Sequence, residues 1–473
     1  MQKKLNFYKH KHMRQRENPL INQEMIWIIL GLAWPTMLEQ LMQTAVQYID
    51  TAMVGSLGTG ATAAVGATTT INWLISSSIA ALSIGFLAYI AKACGAGETH
   101  LVKRAVAQTS LVVLIVGIFF TAATVGLSGW IPVWMQVDPS IQALASKYFL
   151  ILYAPMLFRT ATILYGTVLR AAGDTKTPMK IGVVVNFVNI ILNFILIYPS
   201  RWIHLWGDHS FWMYGADLGV VGAALASAIA FVAGGIWVSV ATFKHPLLSP
   251  KGESLKPDWD ILQPCLKIAF PNMLQRFATS FGYVAFASLI NSIGEVATAA
   301  HTIANTVESA FYIPGYGMQT AAATLAGNAY GAKDRERMEE LARMFLPIEI
   351  LLMIFSGASL FCLAPSLVQI FSESEEVIRL GTTVLRMVAV SEPFYGFSII
   401  VEGMMQGVGK TKDPFIYNIT GMWGIRIVGT FITTQFLGMG LVSAWACMIA
   451  HNMLLFVLYL MSYLRKSWNP LVT

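Results

Sequence analysis

The sequence predicts an all-α membrane protein of twelve transmembrane helices arranged as two pseudo-symmetric six-helix bundles. Three observations predict it: an apolar composition, apolar runs of membrane-spanning length along the whole chain, and an internal repeat at one fixed offset. Of the 473 residues, 56% are hydrophobic and only 12% are charged. The mean hydropathy is +0.61, and so few polar side chains cannot clothe a soluble globule. A run of about 20 apolar residues crosses a hydrocarbon layer of roughly 30 Å as a helix, the one open structure that satisfies its own backbone there.

In chain order the runs predict helices at about 24–55, 61–92, 104–130, 141–167, 179–199, 218–243, 261–291, 297–329, 341–364, 377–406, 414–437 and 440–463. Before the first lies a basic tail with Lys3, Lys4, Lys9, Lys11, Arg14 and Arg16. The apolar run from Met25 continues to Val54 with no small-residue cleavage site ahead of it, so the tail reads as a retained cytosolic segment rather than a signal peptide. Attraction to lipid accounts for its charges, and no nucleic-acid partner is expected. The domain reading is a tail at 1–23, a first lobe at 24–243, a linker at 244–260, a second lobe at 261–464 and a tail at 465–473.

Charge placement tests the span count, because Lys and Arg crowd alternate, cytosolic loops. Lys92/Lys103/Arg104, Arg170/Lys176/Lys180, Lys244/Lys251/Lys256/Lys267, Lys333/Arg335/Arg337/Arg343, Lys410/Lys412 and Arg465/Lys466 fall on one side with the N-terminal tail. Lys147, Arg201, Arg379 and Arg386 fall on the other. Both termini are therefore expected in the cytosol, with the chain in the inner membrane. The cysteines, Cys94, Cys265, Cys362 and Cys447, have no metal-ligand spacing and read as small packing residues.

The halves match at a shift of 236 residues: Pro35-Thr36-Met37-Leu38 with Pro271-Asn272-Met273-Leu274, Ala61–Ala64 with Ala297–Ala300, Gly95-Ala96 with Gly331-Ala332, and Gly173/Thr175/Lys176/Pro178 with Gly409/Thr411/Lys412/Pro414. Six spans is an even number, so both copies run the same way through the membrane and enclose a cleft. Two such lobes can rock to expose the cleft to either side, as alternating access requires.

Pro35-x-Met37-Leu38, then Tyr48-Ile49-Asp50-Thr51-Ala52-Met53-Val54-Gly55 and Gly58-x-x-Ala61-x-Ala63-Ala64, closely resembles the first span of the multidrug and toxic compound extrusion (MATE) family. Leu169-Arg170-Ala171-Ala172-Gly173-Asp174-Thr175-Lys176-Thr177-Pro178 and Gln406-Gly407-Val408-Gly409-Lys410-Thr411-Lys412-Asp413-Pro414 are similar to that family's paired cytosolic turns. The resemblance covers essentially the whole chain. It implies two six-helix bundles and antiport of an organic substrate against sodium or protons, with no other cofactor, no enzymatic activity and no obligatory protein partner.

An ionisable side chain within a span costs about 2.5–3.5 kcal/mol on insertion scales and needs a partner, a wet cavity or a task. Asp50 stands among uncharged neighbours; it would couple a cation, or merely be solvated at an interface. Asn186, Asn189 and Asn193 recur at spacings of three and four and so share one helical face. Their carbonyls could bind an ion, although asparagine rows also tie helices together. The resemblance implies a cation site of Asp50 with Asn189, Asn193 and Ser227, the metal ligands being Asp50, Asn189 and Asn193 if sodium is the ion. Asn193 stands where family members carry a second carboxylate. Sodium would then meet one formal charge plus neutral oxygens, or Asp50 would cycle a proton, and the residues leave both open.

In the second lobe Thr279 occupies a position that is glutamate in some sodium-type branches. Arg276, His301, Glu308, Glu402 and Arg426 are the charges noted there. Glu308 and Glu402 would attract cationic substrates or carry protons, with Arg276 or Arg426 neutralising either; an internal salt bridge is the plainer reading. Glu39 and Arg159 are weaker candidates in the first lobe. The expected function is export of small, cationic, amphipathic compounds. A flippase for a lipid-linked saccharide is the rival, but it would need several cationic side chains facing a pyrophosphate. No phosphate-binding loop, metal-spaced His/Cys set or nucleophile elbow points to an enzyme.

Overall fold

The structure, a computed structural model, describes residues 23–204 and 210–472. The basic tail lies outside the described residues. The elements are α1 (Gln23–Gly55), α2 (Thr59–Ala96), α3 (Thr99–Leu127), a short α4 (Ile131–Trp134), α5 (Pro139–Tyr153), α6 (Met156–Ala171), α7 (Lys176–Ile197), β1 (Pro199–His204), β2 (Ser210–Ala216), α8 (Gly219–Lys244), α9 (Trp259–Asn291), α10 (Glu295–Gly331), α11 (Arg335–Gln369), α12 (Glu375–Gly407), α13 (Lys412–Ile419), α14 (Val428–Phe431) and α15 (Leu441–Leu464). Two π-helical stretches, Thr420–Ile427 and Ile432–Phe436, flank α14 and join it to α13 as one rod.

These elements account for the twelve expected spans, one of them broken into a bent pair. Eight are long and apolar enough to cross a membrane on their own, and the bent pair α5–α6 makes a ninth. The other three, α9, α10 and the rod from Lys412 to Phe436, carry more polar residues, among them Arg276, Glu308 and Arg426. The fourth predicted span is a correction: residues 141–167 do not form one rod, because α5 and α6 meet at a 46° bend. The break falls at Ala154–Pro155; proline supplies no backbone N–H and its ring crowds the preceding turn. The connection after α7 holds a second surprise, since β1 and β2 pair antiparallel with Trp202 opposite Trp212 and Arg201 opposite Met213.

The repeat is visible in the element boundaries. Shifted by 236 residues, Gln23–Gly55 becomes Trp259–Asn291, and the starts of α2, α3, α5 and α7 become those of α10, α11, α12 and α13. Caps follow the same register: Asp138 accepts from Ser140 N at the start of α5, and Ser374 accepts from Val377 N at the start of α12. Gly173 and Gly409 close the turns after α6 and α12 at φ of 83° and 82°, a left-handed conformation that a side chain would strain.

The bundles meet along α1, α2, α9 and α10. Contact is tightest toward the Lys/Arg-rich end, where added methyls at Gly95 and Gly331 would overlap the carbonyl oxygens of Asn328 and Lys92, and one at Gly85 that of Cys265. Midway, Thr36 Oγ1 donates across the interface to Gly317 O at 2.9 Å. Toward the other end the Tyr48 hydroxyl reaches Thr306 O at 3.2 Å.

Candidate functional site

The four residues expected to form a first-lobe site are joined in one hydrogen-bonded chain. Asn193 Nδ2 donates to Asp50 Oδ1 at 2.6 Å and to Asn189 Oδ1 at 3.2 Å, and Asn189 Nδ2 donates to Ser227 Oγ at 3.2 Å. The chain thus links α1, α7 and α8. Helical spacing explains the arrangement: Asn189 and Asn193 lie one turn apart on the inner face of α7, 5% and 1% exposed, while Phe187, Ile191 and Phe194 occupy its outer face. Asn186, the third member of the row, is outside this chain of bonds.

Orientation of the Asn193 amide follows from its neighbours. Asp50 is an acceptor and Asn189 presents its oxygen, so both N–H groups of Asn193 are used and its Oδ1 is left buried without a partner. An orphaned, buried carbonyl oxygen beside a carboxylate is a hard-donor pair that suits an alkali cation. Asp50, Asn193 and Asn189 are the residues that would hold one, with the Ser227 hydroxyl behind them. Among the described residues no three His, Cys, Asp or Glu side chains form a metal-holding group, so the donors here are mostly neutral.

Glu39 and Arg159 do not act together. Glu39 receives both oxygens' contacts from Arg170 Nη1, at 3.2 and 3.1 Å. Arg159 is held instead by Asn72 Oδ1 and Ser76 Oγ, both at 2.7 Å, and lies over the Phe231 ring.

The second lobe departs from expectation. Neither Glu308 nor Glu402 makes an ion pair within 4 Å with Arg276 or Arg426 among the described residues. Glu402 accepts from Gln275 Nε2 at 2.9 Å and Gln406 Nε2 at 3.1 Å, so amides solvate it in place of an arginine. Arg276 Nε is buried without a partner. Arg426 sits against the rings of Phe286 and Tyr283, at 4.1 and 5.0 Å, and donates to the Met448 sulfur. A guanidinium can take this aromatic and thioether seat because it is weakly hydrated and planar.

Two acids were missed in the sequence: Glu349 on α11 and Glu392 on α12, which are 0% and 2% exposed. Both oxygens of Glu349 and one of Glu392 lack partners. With Glu308 they stand on three helices that pack on one another. Each is a lone carboxylate in an apolar run, the same signal that marked Asp50.

A family model described as MatE matches residues 35–195 and 271–432, one copy in each half. The chain belongs to the MatE family. That is a family of transporters, not of enzymes, and the many apolar helices make this a multi-pass membrane protein. Among relatives, "Probable multidrug resistance protein NorM" of Thermotoga maritima is 26% identical over 97% of this chain and 95% of its own. "Probable multidrug resistance protein YoeA" of Bacillus subtilis is 24% identical over 92% and 93%. A solved structure described as the outward-facing conformation of a multidrug resistance MATE family transporter matches at TM-score 0.84 and 23% identity, over 93% of this chain and 96% of that one. A MOP superfamily transporter from Pyrococcus furiosus, whose description reads "Reverse polarity of binding pocket suggests different function", matches at 0.85 and 23%, over 98% and 100%. At these identities the structures speak for the MatE-type fold alone.

Proposed function

We propose that the protein is a secondary antiporter of the inner membrane that exports small, cationic, amphipathic organic compounds in exchange for sodium or protons. The observation that carries this reading is the Asp50–Asn193–Asn189–Ser227 chain: one half-buried acid with an orphaned amide oxygen beside it, on three helices of one bundle. The names of the relatives, which describe multidrug resistance proteins, agree with it. Asp50 takes up the coupling ion. Asn193 holds the carboxylate by donation and offers its own Oδ1, and Ser227 orients Asn189. Since the charge state of Asp50 alters what its bundle can bury, ion binding biases which side of the cleft is open.

Bundles that interlock at the basic end are joined at the opposite end by the exposed Tyr48–Thr306 contact, which is easier to part, and with both termini in the cytosol that end faces outward. In this conformation the coupling ion would enter from outside. A flippase reading is disfavoured by the first lobe, where Arg159 is already engaged by Asn72 and Ser76 and Arg170 by Glu39.

The test uses the full chain in proteoliposomes loaded with a fluorescent organic cation. An imposed sodium or proton gradient should drive counter-movement of the dye, each gradient being applied alone to identify the ion. Asp50→Asn should abolish gradient-driven movement while the protein keeps its thermal unfolding profile. Normal coupled transport by that variant removes the ion site from the account.

A further inference from the structure

The hairpin between α7 and α8 presents a surface that the ion site does not use. Trp202 of β1 and Trp212 of β2 are cross-strand partners, their rings 5.4 Å apart and inclined at 66°. Alternation along β2 puts Tyr214 on the same side. These three side chains are 58%, 55% and 69% exposed, so one face of the hairpin is an aromatic sheet largely uncovered by the described residues. Surface of this kind is costly against bulk water and favourable at a membrane boundary, where a ring can be apolar on one side and hydrogen-bonded at its tip.

The hairpin is firmly fixed to the helices beneath it. Ser200 Oγ donates to Gly215 O at 3.2 Å and accepts from Gly215 N at 2.9 Å. Asp217 N and Leu218 N donate to Tyr198 O and Leu196 O, tying the exit of β2 to the end of α7. The Tyr198 hydroxyl reaches Ser56 Oγ at 2.9 Å and Met53 O at 3.3 Å, so the root of the hairpin is clipped to the end of α1, about one turn beyond Asp50. Arg201 stacks over the Tyr198 ring at 4.0 Å.

What covers the aromatic face follows from continuity. Val184, Phe187, Ile191 and Phe194 form an exposed apolar stripe at helical spacing along α7, the surface a spanning helix turns to lipid. Phe194 lies 6.4 Å from Tyr198, ring to ring, so the stripe leads into the hairpin without interruption. Trp130 and Trp134, in and beside the short α4 that follows α3, are also exposed.

We propose that the Trp202–Trp212–Tyr214 face is a lipid-binding surface, seated at the headgroup–acyl boundary of the bilayer, that fastens the α1–α7 pair and so the Asp50 site to the membrane. The occupant is phospholipid; a second copy of the chain or another protein is excluded by the test below. The inference does not rest on the transport reading, because its readout is depth in a bilayer.

The parent chain and Trp202→Phe/Trp212→Phe are reconstituted in phosphatidylcholine vesicles, and the difference between their emissions isolates these two indoles. Lipid brominated near the top of its acyl chains should quench most of that difference, whereas aqueous acrylamide should quench little of it. Quenching by acrylamide alone would place the face in water, and quenching by neither would place it against protein; either result overturns the proposal. A nitroxide on Tyr214→Cys, with Cys362→Ser to remove the exposed thiol, gives a second reading if the double variant does not reconstitute. Collisions with oxygen should then outweigh those with an aqueous nickel complex, and the reverse order overturns the proposal.

Discussion

In the proposed cation site Asn193 bridges Asp50 and Asn189. Its two N–H groups are committed to Asp50 and Asn189, which leaves Oδ1 buried and unpaired. A hydrogen bond to a charged group is worth about 1.5–3 kcal/mol, and each 1.4 kcal/mol is about tenfold in an equilibrium constant. For sodium-driven transport, Asn193→Ala should therefore raise the half-saturating sodium concentration by at least about tenfold. Ser227→Ala, which removes only a neutral partner of Asn189, should move it by a smaller factor. Equal effects in a dye-efflux titration would contradict the ordering of the chain. Two signals in the sequence draw attention to this place, a lone acid in a span and amides at a spacing that puts them on one face; the choice of Asn189 and Asn193 over Asn186, and Ser227 altogether, came from the family resemblance. Glu349 and Glu392 carried the first signal but had no amide row beside them, and they passed unnoticed. The ion pairs expected of Glu308 and Glu402 failed for another reason. Sequence tells which charges are buried, but whether an arginine or an amide solvates them depends on helix rotation, which composition leaves open.

At the scale of elements, the connections hold what the apolar runs do not describe. The bend at Ala154–Pro155 had its cause in plain view, whereas α12, the counterpart of α5–α6, runs unbroken through Pro393. Because Pro393 is not the repeat equivalent of Pro155, the halves can differ at this point while sharing the starts of their first five spans. The hairpin was hidden because a polar, Trp-rich stretch between two spans reads as a loop, and its strands become evident only when Trp202 meets Trp212. The inter-lobe linker is similarly specific. Gln108, 2% exposed on α3, donates to Lys256 O at 2.9 Å and accepts from Asp258 N at 3.0 Å, and beside it Arg104 pairs with Asp258. Arg104 is 37% exposed, so water screens its pair; such pairs contribute about 0–1 kcal/mol. Gln108→Leu instead removes both side-chain bonds to the linker backbone, at about 0.5–1.5 kcal/mol each. Thermal unfolding in detergent should thus fall further for Gln108→Leu than for Arg104→Ala; the opposite order would mean that charge, not backbone satisfaction, secures the linker.

For the whole molecule the deciding feature is how closely the bundles approach at the basic end. Glycines at 85, 95 and 331 let backbone meet backbone between α2 and the second bundle, and any side chain there collides with a carbonyl that cannot swing aside. The contact is interlocked, because Gly95 receives Asn328 O while Gly331 receives Lys92 O, so each bundle supplies the glycine that the other fills. Such packing has discrete arrangements rather than a continuum, which suits it to a gate. Since Gly95 and Gly331 are repeat equivalents, the same clash can be introduced from either side. Gly95→Ala and Gly331→Ala should each push the bundles apart at the basic end and shift the population toward the state open there. Spin labels at Glu98 and Arg335 should separate, while a pair at Ser56 and Glu295, near the other end of the same helices, should draw together. The pattern must be reciprocal, since two rigid bundles rocking about a common axis cannot open one end without closing the other. If only the Glu98–Arg335 distance grew, the clash would have been absorbed by local bending of α2 or α10, and the close approach would be packing without a gate.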